Sequence, residues 1–200
     1  MPVTVERLAG AMSPAEYAAQ MKLNREPFET MLERVEIPED VERFFAGLPE
    51  PLDIAVFTED FCGDALLALP VLFRLADRTN RLKVRVFLRD ADPELAAEYL
   101  PPERRGTVPV FVFFAPDGRQ VGRFIERADE LNSLLAEERR RILTAHPELP
   151  DRDREFGEMS ESSRRVVLDD LRRARLDRAV ELGGLTARAC QQVVAAGLAS

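Results

Sequence analysis

Four short runs dense in β-branched and aromatic residues constrain this chain more than any other feature. They are Leu52–Thr58 (LDIAVFT), Leu82–Leu88 (LKVRVFL), Val108–Phe114 (VPVFVFF) and Arg119–Ile125 (RQVGRFI). Each has the length and composition of a strand. Between the first two, residues 65–77 change to a helical period, with Leu66, Leu69, Leu72, Phe73 and Leu75 available to a core. Pro70 lies inside that helix and is expected to kink it, because proline removes a donor and crowds the preceding turn. The strand–helix–strand spacing suits a right-handed parallel crossover. Asp92 is placed to cap a second helix that ends before Pro101-Pro102. Ala115-Pro116-Asp117-Gly118 has the turn chemistry that joins the last two strands as a hairpin. A helix over about 128–143 then closes a β-α-β-α-β-β-α order, which places the chain in the α/β class with a mixed sheet.

Helices are expected on both flanks. Ser13-Pro14-Ala15-Glu16 carries a capping box with proline at the first helical position. From there a single helix is read from Pro14 towards Arg34, with Tyr17, Met21, Phe28, Met31 and Leu32 on its apolar face. Ile37-Pro38-Glu39 interrupts it, and a short helix bearing Val41, Phe44 and Phe45 follows. After the closing helix, His146–Pro150 and Asp151–Arg154 form a polar joint, with His146 as a last-turn cap. A long helix is read over about 162–182, stopped by Gly183-Gly184, with Thr186 capping a last short one. Its stripe Val166, Leu171 and Leu176 serves either the chain's own core or a homodimer surface. The organisation is therefore a helical extension (1–50), an α/β region (51–146) and a helical tail (147–200).

Composition closes several routes. The formal charge is −8 and the pI about 4.9, which argues against nucleic acid, since phosphate binding needs a basic face. No apolar run approaches the ~18 residues that span a bilayer. The first ten residues, MPVTVERLAG, lack the apolar segment of a secretory signal, so a cytoplasmic location is expected. Two cysteines and one histidine cannot build a structural zinc site without carboxylates, nor a disulfide scaffold. No metal and no cofactor is called for. All but Lys22 and Lys83 of the 28 basic residues are arginine, a compositional bias to which no function is attached.

The chemistry concentrates at Phe61-Cys62-Gly63-Asp64, the turn between a buried strand and a helix. A cysteine there faces unpaired backbone N–H groups and the positive end of the helix dipole, both of which favour thiolate. Gly63 is expected to leave the sulfur accessible. Val108-Pro109 opens a later strand, where a cis bond would set a backbone edge beside the thiol. Glu59 and Asp60 read as solvated loop charge, with steering of a partner as the alternative.

Together these residues resemble the thioredoxin family: a strand, an aromatic-Cys-Gly turn into a helix, Pro70 eight residues after Cys62, and Val-Pro opening a hairpin. The run Thr58–Asp64 with Pro109–Phe114 is similar to a bacterial group that carries helical extensions at both ends. The resemblance implies a thioredoxin-like fold, with Cys62 as the attacking thiol and Pro109 as the cis-proline. Phe61 takes the aromatic position. It also implies that Gly63, Asp64 and the Val108 backbone contact a partner, either a protein disulfide or a low-molecular-weight thiol. Two departures matter. The motif reads C-G-D-A, with Ala65 where a resolving cysteine would stand, and Val56 replaces the family's buried acid. Asp64 is expected to raise the thiol pKa. A monothiol redox role therefore competes with a non-catalytic peptide- or protein-binding module. A third reading has Cys190, otherwise a small apolar packing residue, resolving Cys62.

Overall fold

The computed structural model describes residues 10–102 and 106–199. The signal-peptide reading of the first ten residues therefore falls almost wholly outside the described residues. Strands β1 (Leu52–Thr58), β2 (Leu82–Leu88), β3 (Val110–Phe114) and β4 (Gln120–Ile125) form one sheet in the order β2-β1-β3-β4. β1 runs parallel to β2 with Leu52 opposite Leu82. It runs antiparallel to β3 with Ile54 opposite Phe113. β3 and β4 form the hairpin, with Val110 opposite Ile125.

The nearly unbroken apolar runs of the central strands β1 and β3 follow from their burial on both faces. Ile54, Val56, Phe111 and Phe113 point into the main core, while Ala55, Phe57, Val110, Val112 and Phe114 fill a second core on the other face. The second face is covered by the helix Pro93–Tyr99, whose Ala96 and Tyr99 join that cluster. In chain order the helices are α1 (Pro14–Gln20), α2 (Arg25–Arg34), α3 (Glu39–Ala46), α4 (Ala65–Thr79), α5 (Pro93–Tyr99), α6 (Glu130–Ala145), α7 (Glu161–Asp177) and α8 (Ala179–Leu198). α4 is buried along nearly its whole length, Pro70 included. One core cluster draws Tyr17, Phe28 and Met31 from the first helices and Leu182, Ala187, Cys190 and Val194 from the last. Both helical ends are thus built onto the sheet-bearing region. Met12 adds an isolated antiparallel bridge to Val86 on β2, with N–H···O distances of 2.9 and 2.8 Å.

Three helical expectations are corrected. The helix read over 14–34 is two, α1 and α2, with Asn24 in the left-handed region (φ 56°) at the junction. Gly183-Gly184 does not stop a helix. The break falls at Arg178, and both glycines lie inside α8. There they admit a close approach, since a Cβ on Gly183 would meet Val35 Cγ1 at 3.3 Å. Thr186 likewise caps nothing: its hydroxyl is buried in α8 and donates to the Leu182 carbonyl. In the tail, Leu176 packs on the main core, and Leu171 packs on a small cluster of Ile142, Met159 and Val167.

His146 ends α6, its N–H donating to Ile142 O. Its ring also bridges Glu148 and Asp170, both at 2.7 Å, and so ties α6 to α7.

Candidate functional site: the Cys62 turn

β1 delivers the chain to a turn closed by the Cys62 N–H on Glu59 O (3.2 Å), and α4 starts at Ala65. The Val108–Pro109 peptide bond is cis. The half-buried Cys62 thiol donates to Val108 O at 3.1 Å. The structure therefore brings Cys62, Gly63, Asp64, Val108 and Pro109 to one end of the sheet. Phe61 projects outward, 54% exposed, with the Arg89 guanidinium 6.0 Å from its ring centre.

Burial is the main influence on the thiol and pushes its pKa up. The N–H groups of Ala65 and Asp64 aim at the sulfur and oppose this, as does the Arg175 charge, while the Asp64 charge adds to the rise. The expected direction is right, but desolvation rather than Asp64 leads it.

Asp64 is not free to act as a bare charge. Its carboxylate accepts from Arg127 Nη2 at 2.5 Å and from Arg175 Nη2 at 3.3 Å. Arg127 also pairs with its neighbour Glu126. Arg127 follows β4; Arg175 comes from the tail, on α7. Asp64 therefore makes no side-chain cap on α4. Burial lowers the Arg175 pKa, with Asp64 opposing. For Arg127, burial is outweighed by Asp64 and Glu126, so its pKa rises.

The role expected of Gly63 changes as well. A Cβ there would sit 2.9 Å from Arg175 Nη1. The missing side chain makes room for the tail's guanidinium instead of opening the sulfur to solvent. Glu59 and Asp60 are not solvated loop charge either. Glu59 is buried and accepts from the Asp90 N–H at 2.8 Å. Asp60 accepts from the N–H groups of Lys22 and Leu23, at 2.9 and 3.0 Å, and its carbonyl accepts from Asn24 Nδ2. The turn between α1 and α2 is thereby fixed onto the cysteine loop. Both flanking helical regions thus reach the motif, and neither Arg127 nor Arg175 stood out among so many arginines.

Cys190 lies elsewhere in kind. It is free, fully buried in α8, and burial alone pushes its thiol up to about 12. Among the described residues no group of three or more His, Cys, Asp or Glu side chains is arranged to hold a metal. No described helix is long and apolar enough to cross a membrane.

A strand–cysteine–helix unit facing a cis X–Pro bond across a mixed four-stranded sheet is the thioredoxin arrangement. A family model described as thioredoxin matches residues 11–140, and the chain belongs to the thioredoxin family. The match takes in the helices before β1. Among solved structures, an HIV epitope-scaffold is similar with a TM-score of 0.64 at 13% identity, covering 99% of this chain and 99% of its own. A protein of unknown function from Pseudomonas aeruginosa is similar with a TM-score of 0.57 at 12% identity, covering 90% of this chain and 96% of its own. Both are likenesses of fold that extend through the helical ends. No curated protein matches the chain.

Proposed function

We propose that this is a thiol-redox protein acting through Cys62 alone, in thiol–disulfide exchange or redox sensing. The observation that carries the reading is the Cys62 sulfur, set at the start of α4 and hydrogen-bonded to Val108 O beside the cis bond. The Cys62 thiolate attacks one sulfur of a partner disulfide. A new S–S bond forms, the partner's own S–S bond breaks, and its second sulfur leaves as thiolate with the electron pair. The Val108 backbone would align a peptide partner as an added strand. Ala65 offers no thiol to release the mixed disulfide, and Cys190 is sealed in the core. Release therefore falls to an external low-molecular-weight thiol, whose thiolate attacks the partner's sulfur and returns Cys62 as thiolate. Two free thiols and this dependence on an external reductant suit a cytoplasmic setting.

A second reading, a non-catalytic peptide- or protein-binding module, draws on the upward push on the thiol by burial and on Ala65. Mixed-disulfide trapping separates the two. A stable adduct at Cys62, released by added thiol, is expected. Failure to form any adduct across pH 6–9.5 would sink the redox reading in favour of the binding module.

A further inference from the structure

Next to the cysteine turn lies a cavity of about 410 Å³ between the start of α4, α6 and α7. Three arginines line it, Arg127, Arg139 and Arg175, against Asp64 as the acidic lining residue among the described ones. Asp64 and Glu126 account for two of the three positive charges. Arg139 has no carboxylate partner among the described residues; its guanidinium lies 5.3 Å from the centre of the Phe156 ring. The Nε groups of all three arginines are buried without an acceptor. Buried donors left unsatisfied are costly, and charged ones more so. In a chain of net charge −8, three guanidinium groups around one cavity, two of them answered by Asp64 and Glu126, leave a local surplus of positive charge at Arg139. Asn132 adds one neutral polar group, an acceptor for Arg127 at 3.4 Å, and an apolar wall is supplied chiefly by Leu135, Phe156, Leu168 and Leu171.

We propose that this cavity receives the carboxylate of a small thiol or disulfide whose apolar body lies along Leu135, Phe156 and Leu171. It thereby selects the low-molecular-weight partner that reaches Cys62. The class follows from charge and shape: planar guanidinium groups match a carboxylate, and the apolar wall disfavours a small, fully hydrated anion. The proposal rests on the reading of Cys62 as the reacting thiol, and it deepens that reading by naming the partner's chemistry.

Two measurements on the full chain separate the two claims. In the first, 4-nitrobenzoate and its neutral analogue 4-nitrobenzamide are titrated calorimetrically, with no covalent chemistry possible. The carboxylate is expected to bind at least about tenfold tighter than the amide. Arg139→Gln is expected to remove the difference and Arg139→Lys to restore much of it. Arg139 is chosen because its loss leaves the buried Asp64 pairs intact. Equal binding of the two probes, absence of binding by both, or a preference untouched by Arg139→Gln would each overturn the carboxylate site. In the second, Cys62 is reacted with 5,5′-dithiobis(2-nitrobenzoate) and with uncharged 4,4′-dithiodipyridine. Each reaction forms a protein–aryl disulfide and releases one aryl thiolate or its thione. The ratio of the two rates is expected to fall about tenfold in Arg139→Gln. Reaction with both at an unchanged ratio overturns the selection and leaves the thiol reading standing. Reaction with neither overturns the thiol reading, while the calorimetry still decides the cavity.

Discussion

The two cysteines sit in the same core cluster and share almost nothing else. Cys62 is half-buried among N–H groups, a carbonyl and a carboxylate paired with two arginines, so its thiol is pushed up by burial and held back by polar contacts. Cys190 is fully buried in the core, and nothing offsets its desolvation. The contrast shows that sequence position at a helix start is half of what sets the surroundings of a thiol. The other half is the polar frame, and much of that frame comes from distant segments, above all the tail.

The comparison breaks most readily at that frame. Arg175→Ala leaves Asp64 largely buried with Arg127 as its remaining partner among those named, and should cost about 3 kcal/mol. Urea unfolding followed by circular dichroism measures it, and an unchanged midpoint would mean the tail does not hold the cysteine turn. The next largest effect tests the sealed site. Cys190→Ser places a hydroxyl in the buried core, at about 2 kcal/mol, while Cys62→Ser keeps a donor for Val108 O and should cost less than about 1 kcal/mol. Equal losses would erase the distinction between the sites.

Reactivity sharpens it further. Iodoacetamide on the native protein should label Cys62 and spare Cys190, with the Cys62 rate still climbing above the ordinary thiol range, because the folded state favours the protonated form. Asp64→Asn removes a charge that raises the thiol, so the rate at pH 7 should increase several-fold. Mass spectrometry reads both results, and a rate indifferent to Asp64 would show that its pairing with the arginines cancels it at the sulfur.

The smallest expected change lies away from either cysteine. The His146 pKa is raised, first by its hydrogen bond to Asp170 and then by that to Glu148. The protonated ring therefore favours the folded state. That contribution is fully present below the ordinary histidine value of 6.5 and fades as pH rises through the raised one. His146→Gln should flatten this slope in thermal melts taken from pH 5 to 8.5.

β1 and β3 were legible because they are buried on both faces and run almost unbroken in apolar residues, whereas β2 and β4 mix buried and more exposed positions and showed through their β-branched and aromatic residues. The motif cysteine and Val108-Pro109 were legible through local spacing. What escaped was set at a distance. No glycine or proline marks the end of α1; the break is fixed by Asp60 accepting the Lys22 and Leu23 N–H groups. Gly183-Gly184 carried a stop signal that the packing on Val35 overrode. Arg175 lies 111 residues from Asp64, and in a chain whose cations are nearly all arginine nothing local singles it out.

The bridge from Met12 to Val86 has one more consequence. β2 is an outer strand of the sheet, and a bare outer strand offers its N–H and C=O groups to any other extended chain. By spending a few residues before α1 on that row, the protein answers both groups of Val86 from within. A chain trimmed to begin at β1 would present them to its own copies, and would be expected to self-associate as it folds.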